Sequence, residues 1–392
     1  LPGMVKIAME TQKVSGRNFT PSVIEPSFGI GRIMYCMFEH SFFIRPEDEQ
    51  KTVFRFSPII APIIAPVDAL AAARHWEMPF DDFNLQPLLP NRQSQWGPGL
   101  ACGDIDGDGD EDFYLGGCSG YVGTLIVNDG QGRFRASPFT AAEGHKLSED
   151  QGALFFDFDG DDDLDLFVVS GSVEQPPTNG AYTDRLYLND GSGNFAPARF
   201  GAVPLDPQSG SVVTAADYDR DGDLDLFVGG RVLPGAYPNA SRSKLLENRA
   251  GSFSDVAFKS PALLQRHLVT GAVWSDADND GWIDLLVSTE WGPVRFFRNE
   301  KGKLVDQTEA AGLSEVLGWW TGINAADVDN DGDQDLVVVN RDQVNKLFLN
   351  DGSGTFSDGS SAAGVADTGK GFGMALADID NDGDVDIYVA NN

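Results

Sequence analysis

Six aspartate-rich nonapeptides recur along this chain, and their spacing restricts the fold more than any other feature. They begin at Asp104 (DIDGDGDED), Asp157 (DFDGDDDLD), Asp217 (DYDRDGDLD), Asp276 (DADNDGWID), Asp327 (DVDNDGDQD) and Asp378 (DIDNDGDVD). Successive starts lie 53, 60, 59, 51 and 51 residues apart. A repeat of that period is one supersecondary unit copied along the chain, each copy burying its apolar face against the next.

Within the nonapeptides, carboxylates occupy positions 1, 3, 5 and 9, and glycine stands at position 6 in five of the six. Calcium takes six to eight oxygen ligands, often from alternate residues of a tight loop whose glycine permits a sharp turn. In the first loop Asp104, Asp106, Asp108 and Asp112 are placed to ligate by side chain, and Asp110 by its backbone carbonyl. The corresponding residues are Asp157, Asp159, Asp161 and Asp165 with Asp163, then Asp217, Asp219, Asp221 and Asp225 with Asp223. The fourth loop offers Asp276, Asp278, Asp280 and Asp284, with the carbonyl of Trp282. The fifth has Asp327, Asp329, Asp331 and Asp335 with Asp333, and the sixth Asp378, Asp380, Asp382 and Asp386 with Asp384.

Such loops lack nitrogen and sulfur donors, which disfavours zinc and copper, and magnesium usually keeps several waters instead of entering an all-protein cage. An EF-hand would carry a bidentate Glu at position 12, where this chain has Leu115, Val168, Val228, Val287, Val338 and Val389. Tandem calcium β-helices repeat without long spacers, so the period excludes them. Four carboxylates in one short loop repel one another unless a cation sits among them. About six calcium sites are therefore expected. Asp162 replaces the glycine of the second loop, and aspartate tolerates the left-handed conformation better than most residues.

Each loop lies between strand-like runs, such as SVVTAAD before it and DLDLFVVS, DLDLFVGG or QDLVVVN after it. A third run ends in a hairpin signal, as in RLYLNDGSGNF and KLFLNDGSGTF. Four short strands per repeat match the blade of a β-propeller, and no room remains for the crossover helices of a parallel sheet. On these motifs residues 97–392 resemble the FG-GAP/VCBS repeat proteins, relatives of the calcium-loop propeller of integrin α subunits. The resemblance implies an all-β propeller of four-stranded blades, often seven, with calcium at the strand turn on one rim. The chain stops at Asn392, after the second strand of its sixth repeat, so five full blades and part of a sixth are expected.

The formal charge is −32, and thirty of the sixty acidic residues are aspartates of the nonapeptides. Six divalent ions would bring the balance to about −20, a surface that still repels phosphate backbones, so nucleic-acid binding by the propeller is not expected. A hydrophobic fraction of 41% in regular runs argues for a folded core against disorder. Loops of this kind suit millimolar calcium, so an extracellular, periplasmic or cell-surface location is expected, although no signal peptide is legible. Cys36, Cys102 and Cys118 are too scattered for a disulfide framework; Cys102 and Cys118 flank the first loop and could pair or stay reduced. Residues 57–73 are apolar but short and interrupted by proline and Asp68, so they do not read as a membrane span.

Residues 1–58 carry no aspartate loop. They read as a strand, a glycine turn and an amphipathic helix with Ile30, Ile33, Met34, Met37 and Phe38 on one face. The stretch containing EPS and GIGR resembles motif 3 of the class II glycyl-tRNA synthetases of eukaryotic and archaeal type. That resemblance implies that Glu25 and Ser27 recognise glycine and Arg32 contacts ATP phosphates. Motifs 1 and 2 and the anticodon-binding domain are missing, so a small α/β fragment without enzymatic activity is expected. The division is then 1–58 synthetase-like, 59–78 junction and 79–392 propeller.

None of His40, His75, His145 and His267 sits in a nucleophile elbow or an HExxH spacing. His145 and His267 are expected in loops or core, and Trp319 and Trp320 at a blade edge rather than stacked on a sugar. Insertions at 171–184 and 230–243 have the composition of recognition loops, with Tyr182, Arg185, Arg231, Tyr237 and Arg242 as candidate contacts for a protein or glycan on the propeller face. The expected function is an extracellular binding or adhesion module. Two other readings stay open: an aminoacylation-related protein with an appended propeller, and a carbohydrate-binding propeller.

Overall fold

The computed structural model describes residues 75–392 apart from 132, 146, 177–179, 368, 379–383 and 392, and the backbone of four short strands before them. Those four strands form two antiparallel hairpins, Gln12–Val14 with Arg17–Phe19 and Phe42–Arg45 with Asp48–Phe54. Glu25, Ser27, Arg32 and the expected helix around residues 30–38 lie outside the described residues.

From Leu100 onward the chain is a succession of antiparallel meanders. In the first blade Leu100–Gly103 enters an aspartate loop and Asp112–Leu115 leaves it, with Gly103 opposite Asp112. Thr124–Asn128 and Phe134–Pro138 complete the sheet. The same four-strand order restarts at Asp150–Phe156, Gly210–Ala216, Val269–Ser275 and Gly318–Ala326. Gly371–Ala377 and Asp386–Asn391 begin a sixth. The first strands of successive blades pack beside one another, so they form the inner layer of a curved array. This is the propeller-like all-β architecture that the repeat period predicts.

The second strands explain why the repeats depend on one another. Every residue of Asp165–Ser170, Asp225–Gly230 and Asp335–Asn340 is buried. Side chains alternate across a strand, so Leu166 and Val168 enter the core shared with the first blade, while Phe167 and Val169 enter the core shared with the third. Leu285 and Val287 likewise face the third blade, and Leu286 faces the fifth. Each apolar core thus lies between two blades. A single repeat could not close its own.

The second strand of the fourth blade, Asp284–Gly292, is longer than its counterparts and also pairs with the first strand of the fifth through Glu290–Trp319 and Gly292–Gly318. The lead-in to the first blade is anchored by a single helical turn, Asp82–Leu85. The buried Asp82 carboxylate there accepts the backbone N–H groups of Gln93 at 2.7 Å and Ser94 at 2.8 Å. Among the described residues no helix is long and apolar enough to cross a membrane.

Candidate metal centres

Each of the five fully described aspartate loops is closed by its own carboxylates. The first aspartate accepts N–H bonds from the far side of the turn: Asp104 from Gly107 at 2.8 Å and Gly109 at 2.9 Å, Asp327 from Asp331 at 3.1 Å and Gly332 at 3.0 Å. The aspartate at position 5 accepts from position 7, as Asp280 does from Trp282 N–H at 2.8 Å. The ninth aspartate ties the loop to the sheet: Asp284 accepts from Ala277 N–H at 3.0 Å and from Asn299 N–H on the third strand at 2.7 Å. Asp112, Asp165 and Asp335 do the same in their blades.

Two left-handed residues make this wrap possible. Position 6 has positive φ in all five fully described loops, including Asp162 at 69°, which does the work of the missing glycine. Position 4 is left-handed as well: Gly107, Gly160, Arg220, Asn279 and Asn330. Sequence reasoning missed this second constraint, although its signal was present as Gly or Asn at position 4 in every loop except the third. Between the two left-handed residues the chain turns its N–H groups inward onto the first carboxylate.

The carboxylates converge. One oxygen from each of Asp104, Asp106 and Asp108 lies within 4.8 Å of the others, and the same holds for Asp157, Asp159 and Asp165, for Asp217, Asp219 and Asp225, and for Asp276, Asp278 and Asp284. Burial, followed by repulsion from Asp221, raises the Asp219 carboxyl, and Asp106, Asp159, Asp278 and Asp329 are raised in the same way. Burial pushes Asp165 up to about 6, Asp284 to about 7 and Asp225 to about 8, against the pull of their N–H partners. Asp106 Oδ1, Asp219 Oδ1, Asp225 Oδ2 and Asp276 Oδ1 are buried without a hydrogen-bond partner. Anionic oxygens that are crowded, dehydrated and unpartnered fit a hard divalent cation. Asp161, Asp221 and Asp331 sit at the same loop position as Asp108. In the sixth loop Asp378, Asp384 and Asp386 are described, whereas Asp380 and Asp382 lie outside the described residues.

The position-7 side chains point elsewhere. Asp110, Asp163 and Asp333 abut the third-to-fourth-strand turn of their own blade, where a Cβ on Gly352 would come within 2.5 Å of the Asp333 carboxylate. Position 7 also meets position 4 of the preceding loop. Asn279 donates to Asp333 at 2.7 Å, Asn330 to Asp384 at 2.5 Å, and the Arg220 guanidinium lies 4.2 Å from the centre of the Trp282 ring. The one loop with tryptophan at position 7 therefore follows the one loop with arginine at position 4.

The candidate recognition residues fare differently. Arg185 is buried against Asp150 at 2.5 Å, and Arg242 is ion-paired with Asp206 and Asp255. Tyr182 is buried and donates to the Gln175 carbonyl at 2.6 Å. These three hold the insertions in place and are not free contacts, because an arginine inside an acidic protein finds an internal carboxylate. Arg231 pairs with Glu290, and Tyr237 donates to the same carboxylate at 2.7 Å. Cys102 and Cys118 are both free, the first exposed and the second buried. His267 is half-buried in a loop, its pKa lowered to about 4 by dehydration and Arg295; the His145 side chain lies outside the described residues. Trp320 packs in the core between the fourth and fifth blades, and Trp319 stands beside Trp291.

Comparison with known proteins places four segments, 104–168, 157–228, 276–338 and 327–389, in the FG-GAP-like repeat family, and together they span more than half of the chain. A short segment is 56% identical over 59 residues to the mitochondrial glycine–tRNA ligase 1 of Saccharomyces cerevisiae, covering 15% of this chain and 9% of that protein. The Caenorhabditis elegans glycine–tRNA ligase is 49% identical over 71 residues, covering 18% of this chain and 10% of the relative. The chain thus spans about a tenth of the length of these relatives. Among solved structures, BBS1N in complex with ARL6DN aligns over 77% of this chain and 78% of that chain, at 12% identity and a TM-score of 0.44.

Proposed function

The chain belongs to the FG-GAP-like repeat family, and from that membership we propose a calcium-stabilised propeller that serves as an extracellular or cell-surface binding module. The observation that carries the calcium reading is the convergence of carboxylates in the loops, with buried, unpartnered oxygens in the first, third and fourth. Positions 1, 3, 5 and 9, with the carbonyl of position 7, would hold the ion, which supplies the positive charge that the crowded carboxylates need. Calcium at ten times its dissociation constant would add about 1.4 kcal/mol per loop. Six such loops rival the stability of an ordinary domain. A compartment poor in free calcium would forfeit that contribution, which supports placement outside the cytosol.

Metal analysis of the purified chain, with melting in calcium and in chelator, tests this reading. Five or six calcium ions per chain and a large fall in Tm on chelation are expected. Far fewer ions, or an unchanged Tm, would overturn it.

A second reading, a role in aminoacylation, rests on the high identity of the short segment to glycine–tRNA ligases. It requires ATP binding that strengthens with glycine, which equilibrium dialysis with labelled ATP measures. Absence of binding removes it and leaves the propeller reading intact.

A further inference from the structure

At the end of the blades opposite the aspartate loops, where first strands begin and second strands end, aromatic rings and arginines gather from distant parts of the chain. The Arg341 guanidinium lies 4.6 Å from the ring centre of Trp319, 5.3 Å from Trp96 and 5.4 Å from Phe372. Arg231 sits over the other part of this cluster, 4.8 Å from Trp96. The buried cations Arg185, Arg231 and Lys244 each have a carboxylate partner, but among the described residues Arg341 has none. Arg220 also stacks on a ring without a carboxylate partner among those residues, but it has one ring, whereas Arg341 is cradled by three.

The hydrogen-bonding balance points the same way. Trp319 and Arg231 are 6% and 3% exposed, and Trp319 Nε1 and Arg231 Nη1 have no acceptor; neither has Trp96 Nε1. All three are donors that the protein leaves without an acceptor. Beside them Trp291 is 57% exposed, with its ring 4.6 Å from Trp319. It is not a loose surface residue. Its Nε1 donates to the Tyr237 hydroxyl at 2.6 Å, and its φ of 62° is left-handed, a strained conformation for a bulky side chain. Strain of that kind persists where the surroundings enforce it, and it gathers at ligand sites.

We propose that this face is a second site, distinct from the aspartate loops, which binds a saccharide carrying a carboxylate. Arg341 receives the carboxylate in its planar fork of donors. The unpartnered indole and guanidinium N–H groups receive ring and hydroxyl oxygens. Trp291 offers a fixed flat surface for the apolar C–H face of a pyranose. This rests on the binding-module reading and names the ligand class for it.

The test uses the whole chain in millimolar calcium, titrated with hyaluronan tetrasaccharide, neutral chitotetraose and tetraglutamate, read by calorimetry and tryptophan fluorescence. The acidic saccharide is expected to bind at least about tenfold more tightly than the neutral one. Arg341→Gln should remove that preference, and Trp291→Ala should weaken both saccharides, with calcium content and Tm preserved. Equal binding of the two saccharides, binding of tetraglutamate alone, or no binding at all would overturn the proposal. If Arg341→Gln lowers Tm, the exposed Trp291→Ala variant decides. Normal calcium content without saccharide binding defeats this site alone, whereas loss of calcium content defeats the reading beneath it.

Discussion

Asn299 in the fourth blade donates from Nδ2 to the backbone carbonyl of Tyr218, at 2.7 Å, inside the aspartate loop of the third blade. Its own backbone N–H donates to Asp284, the ninth residue of the fourth loop. One residue therefore ties two candidate metal loops together. Asn189 reaches Ile105, Asn248 reaches Phe158 and Asn350 reaches Ala277 in the same way, each at 2.8 Å. The loops form a linked row, each joined to the next by a buried hydrogen bond.

Replacing Asn299 by Ala would strand the Tyr218 carbonyl and leave that of Ile283 with one partner fewer. A buried acceptor left unsatisfied costs about 1–3 kcal/mol. Denaturant unfolding in calcium should show a loss of that size. An unchanged midpoint would mean that the link carries no weight.

Asp219 and Asp225 separate cation binding from backbone support. Asp219 Oδ1 has no protein partner, so Asp219→Ala should destabilise mainly with calcium present, by up to a few kcal/mol. Asp225 accepts Asn248 N–H at 2.8 Å, so Asp225→Ala should cost stability in chelator too. Melting each variant with calcium and with chelator distinguishes them. An equal Asp219→Ala effect under both conditions would contradict the assignment.

The Arg220–Trp282 stack crosses two loops on an exposed rim. A double-mutant cycle with Arg220→Gly and Trp282→Ala should give a coupling of about 0.5–1 kcal/mol. Because Arg220 is left-handed at φ 63°, glycine alone should recover part of the lost stack by relieving the backbone. Coupling indistinguishable from zero would reduce the pair to a chance contact.

Glu149 supplies the pH dependence. Burial, with Glu77, Glu174 and Asp150 nearby, pushes its carboxyl up to about 9 from an ordinary 4.5, while the N–H of Ser119 pulls it down. The folded state then holds a proton that the unfolded state releases, so stability falls as pH rises from about 4.5 to 9. Glu149→Gln keeps an acceptor for Ser119 and removes the titration. The variant should gain on the parent between pH 5 and pH 8, by up to a few kcal/mol. Parallel Tm curves across that range would contradict the shift.

Much of the architecture was written in local spacing. Alternate aspartates around a glycine specify a loop that turns on itself, and uniformly apolar runs such as LFVV specify a strand covered on both faces. Both depend on residues within a few positions of one another, so they are legible without knowing where the next blade lies. Which side of the run faces which neighbour was not legible, because Leu166 and Phe167 are equally apolar and differ only in direction. The third-strand asparagines read as turn residues, although their side chains serve the preceding blade. Arg185 and Arg242 read as available contacts, since composition does not reveal that Asp150, Asp206 and Asp255 wait beside them. The stack of Arg220 on Trp282 and the gathering of Trp96, Arg231, Trp319 and Arg341 depend on the rotation that carries one blade to the next. That rotation arises from how whole sheets pack, and no local spacing in the chain encodes it.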